Sequence, residues 1–377
     1  MVVFLHTIVL SLFCQAFLMS SPEKDEIMYV PNSGVNRHSI LMDVNREELT
    51  IRGSRINSLN DSDMRSLGFF FKGNDNFNLV LTEFAAEDAE AEKLTGLHLS
   101  AFKSIKIVSC SLGFLNIFLS KVLADSSCKK LVLELDVYAL EIQMLAKLLP
   151  VSNVTWLDLT LTRIDFTDVH RDAYTSIAAN MNSNSKLTHL SIASYDICDI
   201  VLNGLSRAFL LPNLENLKLF LPNVTGRSLG NLSPVLSSTN LKTLDLACNL
   251  DDQAAGIVSR LLNSSKLENL ILDATKISDD GLQTLVQSLE KSPLTNLSLK
   301  FDPCGKVQDM GAKILYDSMY KSHISHLEVS GLMVSNPNVE FKRTFLLHMK
   351  INNDDVFKDN RNIEKGKLTG IWHNTIS

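Results

Sequence analysis

Cysteine, proline, glycine and tryptophan are all scarce in this chain of 377 residues, which holds 6 Cys, 9 Pro, 16 Gly and 2 Trp. The cysteines stand apart, with no CxC or CxxC spacing. Beyond Cys14 there remain Cys110, Cys128, Cys198, Cys248 and Cys304, an odd number. This argues against a disulfide-stapled extracellular module and against a zinc site. So little Pro and Gly excludes collagen-like and linker-dominated chains. A net charge of −6 leaves no global basic field with which to grip nucleic acid. What is abundant is apolar: 45% of the residues are hydrophobic and about sixty are leucine, enough for a large core and too many for wholesale disorder.

Catalytic signatures are missing as well. The chain contains no GxxxxGK[ST] phosphate loop, no GxGxxG after a strand and no HExxH. His323 and His326 form an HxxH, but that spacing on a strand points them to opposite faces, as ordinary surface and turn residues. Asp251-Asp252 and Asp279-Asp280 resemble metal-binding pairs; at helix starts they are better explained as caps that favour the helix dipole. The sequence therefore calls for no catalytic residue, no metal and no cofactor.

Residues Val2 to Met19 are mostly apolar and carry no Lys, Arg, Asp or Glu, and the polar run Ser20-Ser21-Pro22-Glu23-Lys24-Asp25 follows. A short apolar core with small residues and a charged sequel reads as a secretory signal peptide over 1–21. An uncleaved anchor and a buried N-terminal segment of a cytosolic chain are the other two readings. The sequons at Asn60, Asn153, Asn223, Asn231, Asn263 and Asn296 occur about as often as chance predicts and are no evidence of secretion.

Internal repetition organises the rest. Leu267-x-x-Leu270-x-Leu272-x-x-x-x-Ile277 recurs as Leu214-x-x-Leu217-x-Leu219-x-x-x-x-Val224, Leu187-x-x-Leu190-x-Ile192-x-x-x-x-Ile197 and Val154-x-x-Leu157-x-Leu159-x-x-x-x-Ile164. The same pattern places its fourth position at Leu244, Leu297 and Leu327, at Ile105 and Leu131 upstream, and more loosely at Leu49 and Leu79. The step is about 27 residues. Between the strands the pattern turns helical. Ser278-Asp-Asp-Gly281-Leu282 leads to Leu285 and Leu289, with Ser278 or Asp279 placed as N-cap. Each unit is then a short strand, a turn and one amphipathic helix. A single unit cannot bury its apolar face, so about eleven must stack over 46–335. The expected fold is α/β, a solenoid curved into a horseshoe with a parallel sheet on the concave side and helices on the convex side. Residues 22–45 read as a linker or cap. Pro337, Phe341, Phe345, Leu346 and Met349 read as a capping helix over 336–352, and 353–377 as a polar tail.

The LxxLxL strand followed by ISDDGLxxLxxxL resembles the ribonuclease-inhibitor-like class of leucine-rich repeats, over 100–335 and more loosely over 46–100. The resemblance implies a binding surface rather than one chemistry. That class usually carries Asn or Cys at the ninth position, where the side chain bonds neighbouring turns. Here only Cys110 and Asn249 keep it; the others are Asp136, Thr162, Tyr195, Pro222, Thr275, Asp302 and Leu332.

The concave face is the remaining candidate for function. Trp156, His189 and Asn216 hold the third position of successive repeats; Phe220 holds a seventh, Leu161 and Leu221 eighths. Read as outward-facing, Trp156, Leu161, Phe220 and Leu221 lie about 10 Å apart across a floor of Ala193 and Ser194, given strands about 4.8 Å apart. Two readings stand: a shallow pocket that anchors a protein partner, or apolar groups that shield one another. Lys218, Asp245, Asp273, Lys300 and Glu328 alternate in sign and suit a mixed polar rim. The functional expectation is a non-enzymatic, monomeric protein-binding scaffold that touches neither nucleic acid nor, after signal cleavage, a membrane. With a signal-like start but no cysteine-rich caps, its destination reads as secretion, including release into a reducing host compartment by an intracellular parasite or symbiont. The rival is a cytosolic regulator of an enzyme, such as a GTPase activator or an inhibitor; the mixed-charge tail counts against the activator.

Overall fold

The computed structural model describes residues 27–28, 40–43, 47–52, 77–84, 94, 99, 102–124, 128–136, 153–162, 186–195, 197–199, 202–203, 206–302, 305–319, 321–334, 349–350 and 366–373. The expected signal peptide over 1–21 lies outside them. So do the insertion after Ile164 and most of the expected capping helix. The chain divides into two compact units, residues 1–160 and 161–377.

In the first unit, β1 (Ile27–Met28) and β2 (Ile40–Asp43) precede a parallel series of β3 (Glu48–Arg52), β4 (Asn78–Thr82), β5 (Ser104–Val108), β6 (Lys130–Asp136) and β7 (Trp156–Thr162). The boundary between the units falls within β7. β2 runs antiparallel to β3 and occupies its free edge. The fourth-position residues stack in register, Leu49 on Leu79, Leu79 on Ile105 and Ile105 on Leu131. All four, and Leu157 with them, are 0% exposed. Helix α1 (Leu112–Ala124) adds buried aromatics to this unit, stacked on Phe84 from the loop after β4: the ring centroids of Phe84 and Phe114 lie 4.2 Å apart, those of Phe114 and Phe118 5.4 Å. Glu83 and Ser109 both take positive φ, and after Glu83 the chain buries Phe84.

The second unit continues with the parallel strands β8 (His189–Ser194), β9 (Asn216–Thr225), β10 (Thr243–Asn249), β11 (Asn269–Asp273), β12 (Asn296–Lys300) and β13 (His326–Val334). Strands β3–β13 are thus eleven in number, and the architecture is an α/β solenoid compatible with leucine-rich repeats. Leu190, Leu217, Leu244, Leu270, Leu297 and Leu327 pair across neighbouring strands as one buried row. The backbone repeats with them. The carbonyl of Lys242 accepts the N–H groups of Glu268 and Asn269, both at 2.9 Å, and the Glu268 carbonyl accepts those of Thr295 and Asn296 at the same distances.

Helices α2 (Gly226–Ser237), α3 (Asp252–Ser264), α4 (Asp279–Val286) and α5 (Asp309–Met319) pack in sequence against one another. Their first turns are joined by aspartates that serve the following repeat. Asp251 caps its own helix by accepting from Ala254 N–H at 2.9 Å, as read from the sequence. Its neighbour Asp252 instead accepts from the N–H and hydroxyl of Ser278, both at 2.7 Å. Asp279 does the same for Gln308 N–H at 2.9 Å and Gly311 N–H at 3.0 Å. Asp199 holds Thr225 through its N–H at 2.8 Å and its hydroxyl at 2.7 Å. Gly281 is glycine because a Cβ there would overlap the Asp252 carboxylate.

The C-terminal end departs from the sequence reading. Gly366–His373, assigned to a polar tail, forms β15, antiparallel to β13 with Leu327 opposite Trp372. Met349–Lys350, assigned to the capping helix, forms β14 on β15. The physical reason is the open edge of β13, whose unpaired N–H and C=O groups need a partner, and the strand-forming run Thr369, Ile371 and Trp372.

Leu270→Ala removes side-chain packing from the middle of the leucine row and should cost about 2–5 kcal/mol in chemical denaturation. Asp199 supplies a pH test. Burial raises its pKa, but the Thr225 hydroxyl and N–H, the Ser228 hydroxyl and the Arg227 charge outweigh that and hold it below the ordinary value. A depressed carboxylate stabilises the fold above its unfolded value of about 3.9, and the gain is lost as pH falls through the folded value. Asp199→Asn should therefore melt lower than the native chain at pH 7, with the gap closing in acid; a gap independent of pH would refute the assignment.

Candidate partner-binding surface

Strand alternation decides which side chains are available. Positions four and six of each repeat point to the helices, so three, five and seven point away. The strands run past position six, and the alternation runs with them. Position eight is therefore a core position. Leu161 (4% exposed) and Leu221 (0%), both expected on the open face, are buried, as are Ser194, Cys248 and Ala274 at the same place in their repeats. The four-residue apolar pocket read from the sequence is corrected accordingly: Trp156 and Phe220 keep outward positions, whereas the two leucines belong to the core.

In the first unit, Trp156 is exposed. Its ring lies under Lys130, whose Nζ sits 4.2 Å from the ring centroid. Its Nε1–H donates to Asp158 Oδ1 at 3.0 Å, and Lys130 Nζ lies 3.9 Å from Asp158 Oδ2. A cation over the face and a carboxylate at the edge hold the indole in one orientation. Lys106 and Glu134 pair at 2.6 Å on the same face.

In the second unit, Phe220 is half-buried, with Ala193 and Ala247 opposite it on the two flanking strands. Tyr195, at the end of β8, is 66% exposed and meets the Phe220 ring edge-on at 5.3 Å between centroids. Asn223 donates from its side-chain amide to the Tyr195 carbonyl. The sequence reading named Tyr195 only as a departure from the usual ninth-position residue; that departure was the available signal, since Tyr cannot fill the role of a compact Asn or Cys. Ile271, unremarked in the sequence, is also exposed on this face.

Position three forms hydrogen-bonded rows. His189 Nε2 and Asn216 Nδ2 lie 2.9 Å apart, and His189 Nδ1 is 2.8 Å from the Thr188 hydroxyl. With the Asn216 amide as donor, Nε2 accepts and Nδ1 carries the proton. Asn269 donates to Thr243 Oγ1 at 3.1 Å, and Asn296 donates to Asn269. In the first unit Ser104 donates to Asn78 at 2.7 Å. Positions five and seven carry the charges. Lys218 pairs with Asp245 at 2.9 Å, Lys300 with Asp273 at 3.4 Å, and Ser298 donates to Glu328 at 3.1 Å. Along the edge where the strands begin, a groove of about 500 Å³ runs from Lys186 to Glu268, with Lys242 and Glu215 paired at 3.1 Å within it. Such a surface offers orientation, hydrogen bonds and mixed charge to a ligand.

No protein-family model matches the chain, and no curated protein matches it. The class is the α/β repeat solenoid that the strands and helices define. Among the described residues, no helix is long and apolar enough to cross a membrane.

The described cysteines, Cys110, Cys128, Cys198 and Cys248, are free thiols. Cys110 Sγ donates to the Val108 carbonyl at 3.3 Å and lies 3.8 Å from that of Leu81, so it spans neighbouring turns. Burial pushes the thiols of Cys128 and Cys248 up to about 12, partly countered by backbone hydrogen bonds. At pH 8 both should resist iodoacetamide in the folded chain and react once it is unfolded in denaturant, as read by mass spectrometry of the alkylated peptides; labelling of either in the native protein would contradict this.

Proposed function

We propose that the chain is a non-enzymatic, ribonuclease-inhibitor-like leucine-rich repeat scaffold, exported from its cell of origin, that binds a protein through the open face of its sheet. The observation that carries this reading is the Tyr195–Phe220 pair, an exposed tyrosine edge-on to a half-buried phenylalanine beside small residues, with the Lys218–Asp245 ion pair on the adjoining strands. Aromatic anchors with a polar surround are the usual energetic centre of a protein interface. The side chains around them are held by hydrogen bonds and ion pairs, which lowers the ordering cost of binding. The export half of the reading rests on the signal-like segment over 1–21, and N-terminal sequencing of the mature chain tests it.

Affinity capture followed by mass spectrometry tests the binding half. Replacing Tyr195 and Phe220 together by Ala should leave the melting transition within about 1 kcal/mol, since both lie on the open face. It should weaken retention of the captured partner by about thirtyfold, the equivalent of about 2 kcal/mol. Unchanged retention by a folded double variant would remove this face from consideration.

A further inference from the structure

The two ion pairs on β9–β12 are built asymmetrically. The side chains of Asp245 and Asp273 are recessed, at 16% and 24% exposed, while their partners Lys218 and Lys300 stand at 60% and 68%. Asp273 has a second peculiarity: its Oδ1 is buried with no hydrogen-bond partner among the described residues. The two carboxylates come from adjacent strands, Asp245 opposite Ile271 and Asp273 two residues further along β11. That places them as diagonal neighbours on one face of the sheet. Beside them lie the apolar groups of the same face, Phe220 between its two alanines and the exposed Ile271.

Resting on the protein-binding reading above, we infer that this part of the face receives a protein segment that carries an arginine or lysine next to an aromatic or long aliphatic side chain. The carboxylates are fixed in the sheet, whereas the lysines reach them on flexible stems through water-exposed pairs that are weak and exchangeable. An incoming cation can take the place of a lysine amine, and the displaced lysine returns to solvent at little cost. An incoming carboxylate or phosphate would have to draw the lysines away and leave two recessed negative charges uncompensated, which is expensive. A guanidinium fits best, because its planar fork of donors matches a carboxylate better than a single amine does. The wider face agrees in sign: Lys218 and Lys300 stand against Asp245, Asp273 and Glu328. The neighbouring apolar side chain of the segment then covers Phe220 and Ile271.

The test pans a displayed library of random short linear peptides against the full chain and measures selected peptides by titration. Peptides that pair Arg or Lys with an aromatic or long aliphatic residue should be enriched. They should lose about tenfold or more in affinity for the Asp245→Asn/Asp273→Asn variant, and weaken as salt is raised. The Lys218→Ala/Lys300→Ala variant should bind them as well or more tightly, because the competing amines are gone. Thermal melting of both variants separates these effects from misfolding. Enrichment of acidic peptides, weaker binding after loss of the lysines, or no peptide that distinguishes the Asn variant from the native chain would each overturn the inference. If any of these occurs while the Tyr195/Phe220 variant still fails to retain the captured protein, the protein-binding reading survives without it. If that variant also retains everything, both fail.

Discussion

A strand–turn–helix unit of about 27 residues has one apolar face and nothing of its own to cover it. Everything else in this chain follows from borrowing that cover from the neighbours. The row from Leu190 to Leu327 is buried only because each strand pairs in register with the next, and register is held twice. The leucines specify which face turns inward, and the carbonyls at Glu215, Lys242, Glu268 and Thr295 each take two N–H groups from the following repeat. A slip by one residue would turn every leucine outward and break each of these paired acceptors.

The same register lays out the open face. Because partners recur at a fixed step, identical positions stand side by side, and side chains that hydrogen-bond sideways form rows: Asn296 to Asn269 to Thr243, and Asn216 to His189. Charge follows the same geometry, with Lys218 reaching Asp245 and Lys300 reaching Asp273 across neighbouring strands. The face is therefore ordered before any ligand arrives. In the second unit its apolar content is concentrated at Tyr195, Phe220 and Ile271.

Most of the fold was legible because its signal is periodic. The leucine spacing located every parallel strand, and Asp251 and Ser278 announced two helix starts that the structure bears out as caps. The face was less legible, for reasons of strand length. LxxLxL marks where a strand begins, not where it ends, so Leu161 and Leu221 looked like surface until the strands proved long enough to carry the alternation through position eight. Lateral partnerships were invisible too: nothing in the local sequence around Asp252 tells that it serves Ser278 rather than its own helix. The C-terminal strand was hidden by composition, since Gly366–His373 follows a polar stretch and its partner, the edge of β13, exists only in the folded chain.

The forward reach of Asp252 and Asp279 makes the array directional. The starts of α2, α4 and α5 are each held by a carboxylate from the repeat before, Asp199, Asp252 and Asp279, while α3 is capped by its own Asp251; Gly281 and Gly311, which admit Asp252 and Asp279, lie one repeat downstream of them. Length change in this part of the chain is thereby quantised. From α3 onward, loss or gain of one whole repeat returns an aspartate to a matching Ser or Gly, while any other length takes Asp252 or Asp279 away from the backbone groups it serves. Tandem duplication is then the natural mode of growth for such an array, and loss of one repeat is felt first by its C-terminal neighbour.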